Sequence, residues 1–124
     1  KPEMAAKSTT AKTYQWLVGP GFDVVDEMRS LLSQDVKRGL QLLAGLDLVT
    51  AGAVSANLGE FIPSIELYRL DASDGPRTAL YYQIRPKTRR HSDIVVILIA
   101  TSDRFTLHEA ESEAADRWNS FSEQ

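Results

Sequence analysis

Residues 94–100 read IVVILIA, an unbroken apolar run dominated by β-branched residues. A strand sends successive side chains to opposite faces, so this run has no polar side to give to water and belongs in the interior of a sheet. It also falls far short of the roughly 20 residues that a transmembrane helix needs. The run therefore predicts a central strand covered on one side by helices, and the rest of the chain must supply its neighbours.

Two neighbours lie just upstream. RTALYYQI (77–84) and SDIVVILIA (92–100) are joined by a short loop, and SIELYRL (64–70) is bounded by Pro63 and the turn cluster DASDGP. Parallel strands need a long crossover, so these short connections predict antiparallel pairing. KTYQWLV (12–18) predicts a first strand that stops at GPG. FDVVDEMRSLL (22–32) places Phe22, Val25, Met28 and Leu32 on one helical face, and QDVKRGLQLLAGL (34–46) does the same with Val36, Leu40 and Leu43. Ser33 is the expected cap of that second helix, with Asp35 in its first turn and an end near Gly45. DLVTAGAVSANLGEFIP (47–63) has no period and predicts an irregular connection with room for a short helical turn. TLHEAESEAADRWNSF (106–121) begins with a capping box, Thr106 and Glu109, and has an apolar face of Leu107, Ala110, Ala114, Trp118 and Phe121.

This order predicts an α+β domain, with a small antiparallel or mixed sheet of about four strands, two helices on one face and a C-terminal helix. At 124 residues, with 43% hydrophobic and 25% charged content, one domain over 13–124 is expected, preceded by a flexible leader over 1–12. Without cysteine there is no disulfide framework and no thiolate zinc site, and a reducing cytoplasm is compatible. His91 and His108 show no ligand-type spacing, so no metal cofactor is expected.

The net charge of −3 is unevenly spread. Residues 1–62 carry six Lys/Arg against seven Asp/Glu, residues 63–104 seven against five, and residues 105–124 one against five. RPKTRRHS (85–92) concentrates Arg85, Lys87, Arg89 and Arg90 in the hairpin loop. Such a tip keeps a loop solvated and blunts edge pairing, or it meets phosphates or an acidic partner.

IELYRLDASDGPRTALYYQI and DIVVILIATSDRFTLHEAESEAADRW carry a resemblance. The first is similar to the charged strand, turn and arginine-bearing strand of the RelE/ParE superfamily of toxins from type II toxin-antitoxin pairs, especially its HigB-like members. The second is similar to that family's apolar strand, basic turn and terminal helix, and the resemblance covers residues 13–121. It implies a RelE-like fold and a cytoplasmic toxin with a cognate antitoxin, acting on the ribosome and its mRNA with no cofactor. The implied reaction is attack of a ribose 2′-hydroxyl on the adjacent phosphate. By motif, Arg69, Arg77 and Arg104 are the phosphate-stabilising candidates, and His108 is the candidate acid or base, unless it is simply an exposed histidine of a first helical turn. Tyr81 shares a strand face with Arg77 and Arg85 and is the expected base-stacking residue, with Arg85, Lys87, Arg89 and Arg90 as RNA contacts; the alternative is ordinary sheet packing. Alternation sends Tyr82 to the other face. The family's ribosome-cleaving members are strongly basic, whereas this chain is acidic, and Asp103 stands where a turn lysine is usual. Gyrase-poisoning relatives and a non-catalytic protein-binding module are the alternatives. The endonuclease reading predicts that Arg77, Arg104 and His108 converge on one cleft with Arg69 on the neighbouring strand, more than about 20 Å from the basic tip.

Overall fold

The computed structural model describes residues 13–50, 59–73, 77–86 and 92–122. Its elements are β1 (Thr13–Trp16), β2 (Val18–Gly19), β3 (Phe22–Asp23), α1 (Val24–Gln34), α2 (Val36–Thr50), β4 (Glu60–Ile62), β5 (Leu67–Asp71), β6 (Thr78–Pro86), β7 (Ser92–Thr101) and α3 (Leu107–Ser122). The main sheet has the order β1-β7-β6-β5-β4, with β1 parallel to β7 and the other pairs antiparallel. The domain is thus α+β with a mixed sheet, of five strands instead of about four. The added strand, β4, lies in the stretch expected to be irregular. No helix among the described residues is long and apolar enough to cross a membrane.

β7 lies in the sheet interior, and every residue from Asp93 to Ala100 is buried. Burying each large apolar side chain contributes about 1.5–3 kcal/mol, so this strand is the main apolar investment of the fold. Its register with β6 steps from Tyr81↔Leu98 to Tyr82↔Val96, which leaves Ile97 as a bulge. Leu70, Leu80, Tyr82, Ile94 and Val96 face one side, where a Cβ on Gly45 of α2 would meet Leu70 at 2.9 Å. Arg69, Tyr81, Gln83 and Arg85 face the other, where α3 lies: Glu111 meets Arg69, and Phe121 meets Arg85. Helices therefore cover both faces of the sheet, not one. A strand apolar on both sides requires as much.

Local chemistry explains where boundaries moved. Gly21, at φ 82, turns the β2–β3 ribbon, so Phe22 is a strand residue and not part of the first helix. Asp23 caps α1 by accepting from the Val25 N–H at 3.0 Å. Asp35, not Ser33, caps α2: its carboxylate accepts from the Arg38 N–H at 3.2 Å and pairs with the Arg38 guanidinium. Gly45 does not end α2, because it serves there as the flat spot against Leu70. The expected strand at 64–70 starts only at Leu67, after a turn in which Glu66 takes φ 59. The capping box of α3 is present in both directions: Thr106 N–H donates to Glu109 Oε1 (2.9 Å) and Glu109 N–H to Thr106 Oγ1 (3.1 Å).

The two helical layers are tied together where β1 stops alongside β7. β1 pairs as far as Val96, and the Leu17 N–H still donates to Val96 O. Beyond it Ile99 N–H donates to Glu27 Oε1 of α1 (3.2 Å), and Arg117 Nη1 of α3 donates to Ile97 O (3.0 Å). Arg117 also grips Glu27 with both ends of its fork (3.1 and 2.7 Å), bonds Glu113 through Nε (2.8 Å), and lies 3.9 Å over the Phe22 ring. Its side chain is 6% exposed and that of Glu27 9%. Burial works against the guanidinium charge, but Glu27 and Glu113 more than reverse it and raise its pKa. Four of the five donors of Arg117 are bonded, which is what a charge at this depth requires.

Candidate functional site

The antiparallel pairing of β6 and β7 brings the start of one beside the end of the other. Thr78 pairs with Thr101, and the Ser102 N–H donates to Arg77 O at 2.9 Å. The chain then turns tightly, with Arg104 and Phe105 N–H groups both donating to Thr101 O (3.0 and 2.9 Å), and enters α3. Arg77 Nη2 donates to Phe105 O (3.1 Å), while the Arg104 guanidinium stands 5.2 Å over the Phe105 ring. Arg77 and Arg104 thus both contact Phe105, one at its carbonyl and the other over its ring, but Arg77 is not among the residues that line a common cleft with Arg104 and His108. Arg104, Phe105 and the exposed His108 line a cleft of about 350 Å³ at this end of α3.

The same cleft holds carboxylates. Glu109, Glu113 and Asp116 line it further along α3. Glu109 is occupied by the Thr106 N–H and Glu113 by Arg117, which leaves Asp116 facing outward on an exposed position.

Charge pairing divides the described arginines into two groups. Arg29, Arg38, Arg69 and Arg117 form ion pairs. Among the described residues Arg77, Arg85 and Arg104 form none, and Arg77 and Arg104 are exposed. Arg69 sits on β5, next to β6, but is not drawn into the Arg77–Arg104 cluster. It bonds Glu60 of β4 (3.0 Å), Asp71 of β5 (3.2 Å) and Glu111 of α3 (3.4 Å). Three carboxylates around one guanidinium leave it poorly suited to a substrate phosphate.

Tyr81 corrects a second expectation. It does share a face with Arg85, but α3 covers that face and Tyr81 is 0% exposed, so no base can stack on it. Burial and then the Glu111 carboxylate push its phenol up, while Arg69 pulls it down. The hydroxyl lies beside Arg69 without a hydrogen-bond partner among the described residues. Tyr82 points to the other side, stacked on Tyr68 at 5.2 Å, and burial, with Tyr68 adding to it, pushes its pKa to about 12.

At the far end of the hairpin Arg85 is exposed and lies 5.2 Å over Phe121. Lys87, Arg89 and Arg90, expected as RNA contacts, lie outside the described residues, as does His91. Gln15, Arg85, Trp118, Phe121 and Ser122 line a second cleft of about 440 Å³. Sequence reasoning placed Trp118 and Phe121 only on an apolar helix face. The available signal was their position, one turn past Ala114 and at the end of the helix, where the core is already thinning.

The two clefts lie toward the two ends of α3. One offers the Arg104 guanidinium and the His108 imidazole to an anion and its proton chemistry, with Arg77 outside its lining and bonded to the Phe105 carbonyl; the other offers aromatic faces beside a cation. No protein-family model, curated protein or solved structure matches the chain, so the functional reading rests on these geometries.

Proposed function

We propose that this domain is a RelE/ParE-type toxin of HigB-like character, with a RelE-like fold, that cleaves RNA without a metal ion in the cytoplasm and is held in check by a cognate antitoxin. The observation that supports it is that Arg77 and Arg104, neither ion-paired among the described residues, both contact Phe105, and that Arg104 and Phe105 line one cleft with His108. An exposed guanidinium with no internal counter-ion is available to a phosphate, and two of them can neutralise the charge that builds on a phosphorane. His108 takes the proton from the ribose 2′-hydroxyl as that oxygen bonds to phosphorus. The bond to the 5′-oxygen breaks, the leaving oxygen takes a proton from solvent water, and a 2′,3′-cyclic phosphate remains. Arg69 holds structure in this scheme, and Tyr81 holds the core.

The acidic lining contributed by Glu109, Glu113 and Asp116, together with the net charge of −3, favours a second reading. In it the domain is a toxin or module that binds a protein such as gyrase and has no nuclease step. Strong induction in bacteria tests the first part: growth arrest is expected, and unaffected growth with abundant folded protein would remove both toxin readings. Purified ribosomes carrying a defined message test the second. Cleavage lost with Arg104→Ala supports the endonuclease, whereas arrest without cleavage of any message favours the protein-binding toxin.

A further inference from the structure

We propose that the cleft at the C-terminal end of α3 is a nucleotide subsite, in which one base of a single-stranded RNA stacks against Trp118 and Phe121 while Arg85 holds its phosphate. The stacking role that the sequence suggested for the buried Tyr81 falls to these two rings. Their centroids are 5.4 Å apart and their planes tilted by 36°, and both residues are only partly buried. Arg85 is exposed, lies over Phe121 and has no ion pair among the described residues. Asp93, opposite Arg85 in the strand register, is buried and has interactions of its own. The Gln15 amide and the Ser122 hydroxyl complete the lining with groups that suit a base edge.

Charge separates this cleft from its counterpart. None of its described lining residues is a carboxylate, whereas three carboxylates line the cleft at the other end of α3. Aromatic faces next to a cation are the elements that single-stranded nucleic acid requires. A volume of about 440 Å³ falls within the usual range for small-molecule sites and admits a base with its sugar. The eight-residue step along β6 from Arg77 to Arg85 spans roughly 26 Å at about 3.3 Å per residue, which is about eight nucleotides of a stacked strand at 3.4 Å each. One RNA strand of that length can therefore run from Arg77 to the Arg85 cleft. This inference rests on the RNA-directed reading and deepens it, since the far subsite would grip the same strand whose backbone is cut at Arg77 and Arg104.

The chain has two tryptophans, so Trp16→Phe leaves Trp118 as the sole reporter. Trp16 lines a groove with Val25, Met28, Arg29 and Leu43, and Phe keeps an aromatic ring there. The probe is a fully 2′-O-methylated RNA decamer, which cannot be cleaved by 2′-hydroxyl attack. Saturable quenching of Trp118 emission is expected with the decamer and not with an abasic phosphodiester of equal length. Phe121→Leu should weaken decamer binding about 10-fold at unchanged salt dependence, because stacking is lost and no phosphate contact is. Arg85→Gln, an exposed change that leaves folding intact, should weaken it and reduce the salt slope by about 0.7. Binding without a Trp118 response, equal response to the abasic oligomer, or no effect of Arg85→Gln would overturn the subsite. Quenching by the decamer with no cleavage of ordinary message would instead overturn the endonuclease reading and leave the subsite standing.

Discussion

The waist and the ends of α3 use arginine in opposite ways. At the waist Arg117 and Arg69 are surrounded by carboxylates, and their partners come from α1, β4 and β5 as well as from α3 itself. At the ends Arg77, Arg104 and Arg85 lie over aromatic rings or against a carbonyl oxygen and have no ion pair among the described residues. A buried charge must be matched inside the protein, whereas an exposed one costs little and stays available to a ligand. The middle of the helix holds layers together, and its ends face outward to chemistry.

The largest expected effect breaks the waist. Arg117→Ala should lower unfolding free energy by about 3–5 kcal/mol, because the Glu27 carboxylate is left buried without its partner. Urea denaturation measures this directly. Replacing the pair together, Glu27→Leu with Arg117→Met, should recover only part of the loss, since the Ile99 N–H and Ile97 O would still lack their side-chain partners. Next comes the cleft end. Arg104→Ala should reduce cleavage at saturating ribosomes about 100-fold while changing stability by less than about 0.5 kcal/mol. If Arg104→Ala destabilised the fold as Arg117→Ala does, the division between waist and ends would fail.

Arg69→Met sharpens the same comparison. It should cost about 1 kcal/mol of stability, since two of the three carboxylate partners are well exposed, and it should leave cleavage at saturation unchanged. A turnover loss as large as that of Arg104→Ala would move Arg69 from the structural group to the catalytic one. The smallest effect lies away from α3. The Arg38 backbone N–H, opposed by burial and helped by the Arg38 guanidinium and Lys37, holds the Asp35 carboxyl below its ordinary 3.8. A depressed folded-state pKa gives stabilisation that is present above 3.8 and lost as pH falls through the folded value. Asp35→Asn keeps a capping oxygen but titrates no proton, so the melting temperatures of parent and variant should converge slightly from pH 5 to pH 3.

Much of the architecture could be read from local pattern. The apolar run of β7 announced its interior position, and Thr106 with Glu109 announced the start of α3. Alternation correctly separated Tyr81 from Tyr82, yet it could not say what covers each face, and α3 on the Tyr81 face removed that residue from any binding role. Helix ends set by tertiary contact also escaped: Gly45 reads as a terminator until Leu70 is seen against it. That Arg77 and Arg104 come to the same end of the sheet was legible because antiparallel pairing sets Thr78 opposite Thr101. Glu27 and Arg117 stand 90 positions apart, and no spacing rule connects them. The Trp118–Phe121 cleft was hidden for a related reason, since Gln15 and Arg85 complete it from two different strands.

The parallel placement of β1 bears on the order in which the domain can be assembled. Thr13 pairs with Asp93, 80 positions later, whereas Pro86 pairs with Ser92 across a short loop. Closing a long loop carries an entropy cost that only the finished contact offsets, so the β6–β7 hairpin forms readily and β1 must wait for it. On the ribosome the delay is literal: the N-terminal strand is synthesised first and is the one whose partner emerges near the end. Until then Trp16 and Leu17 have no sheet to join, and the earliest part of the domain to leave the tunnel is among the last to be secured.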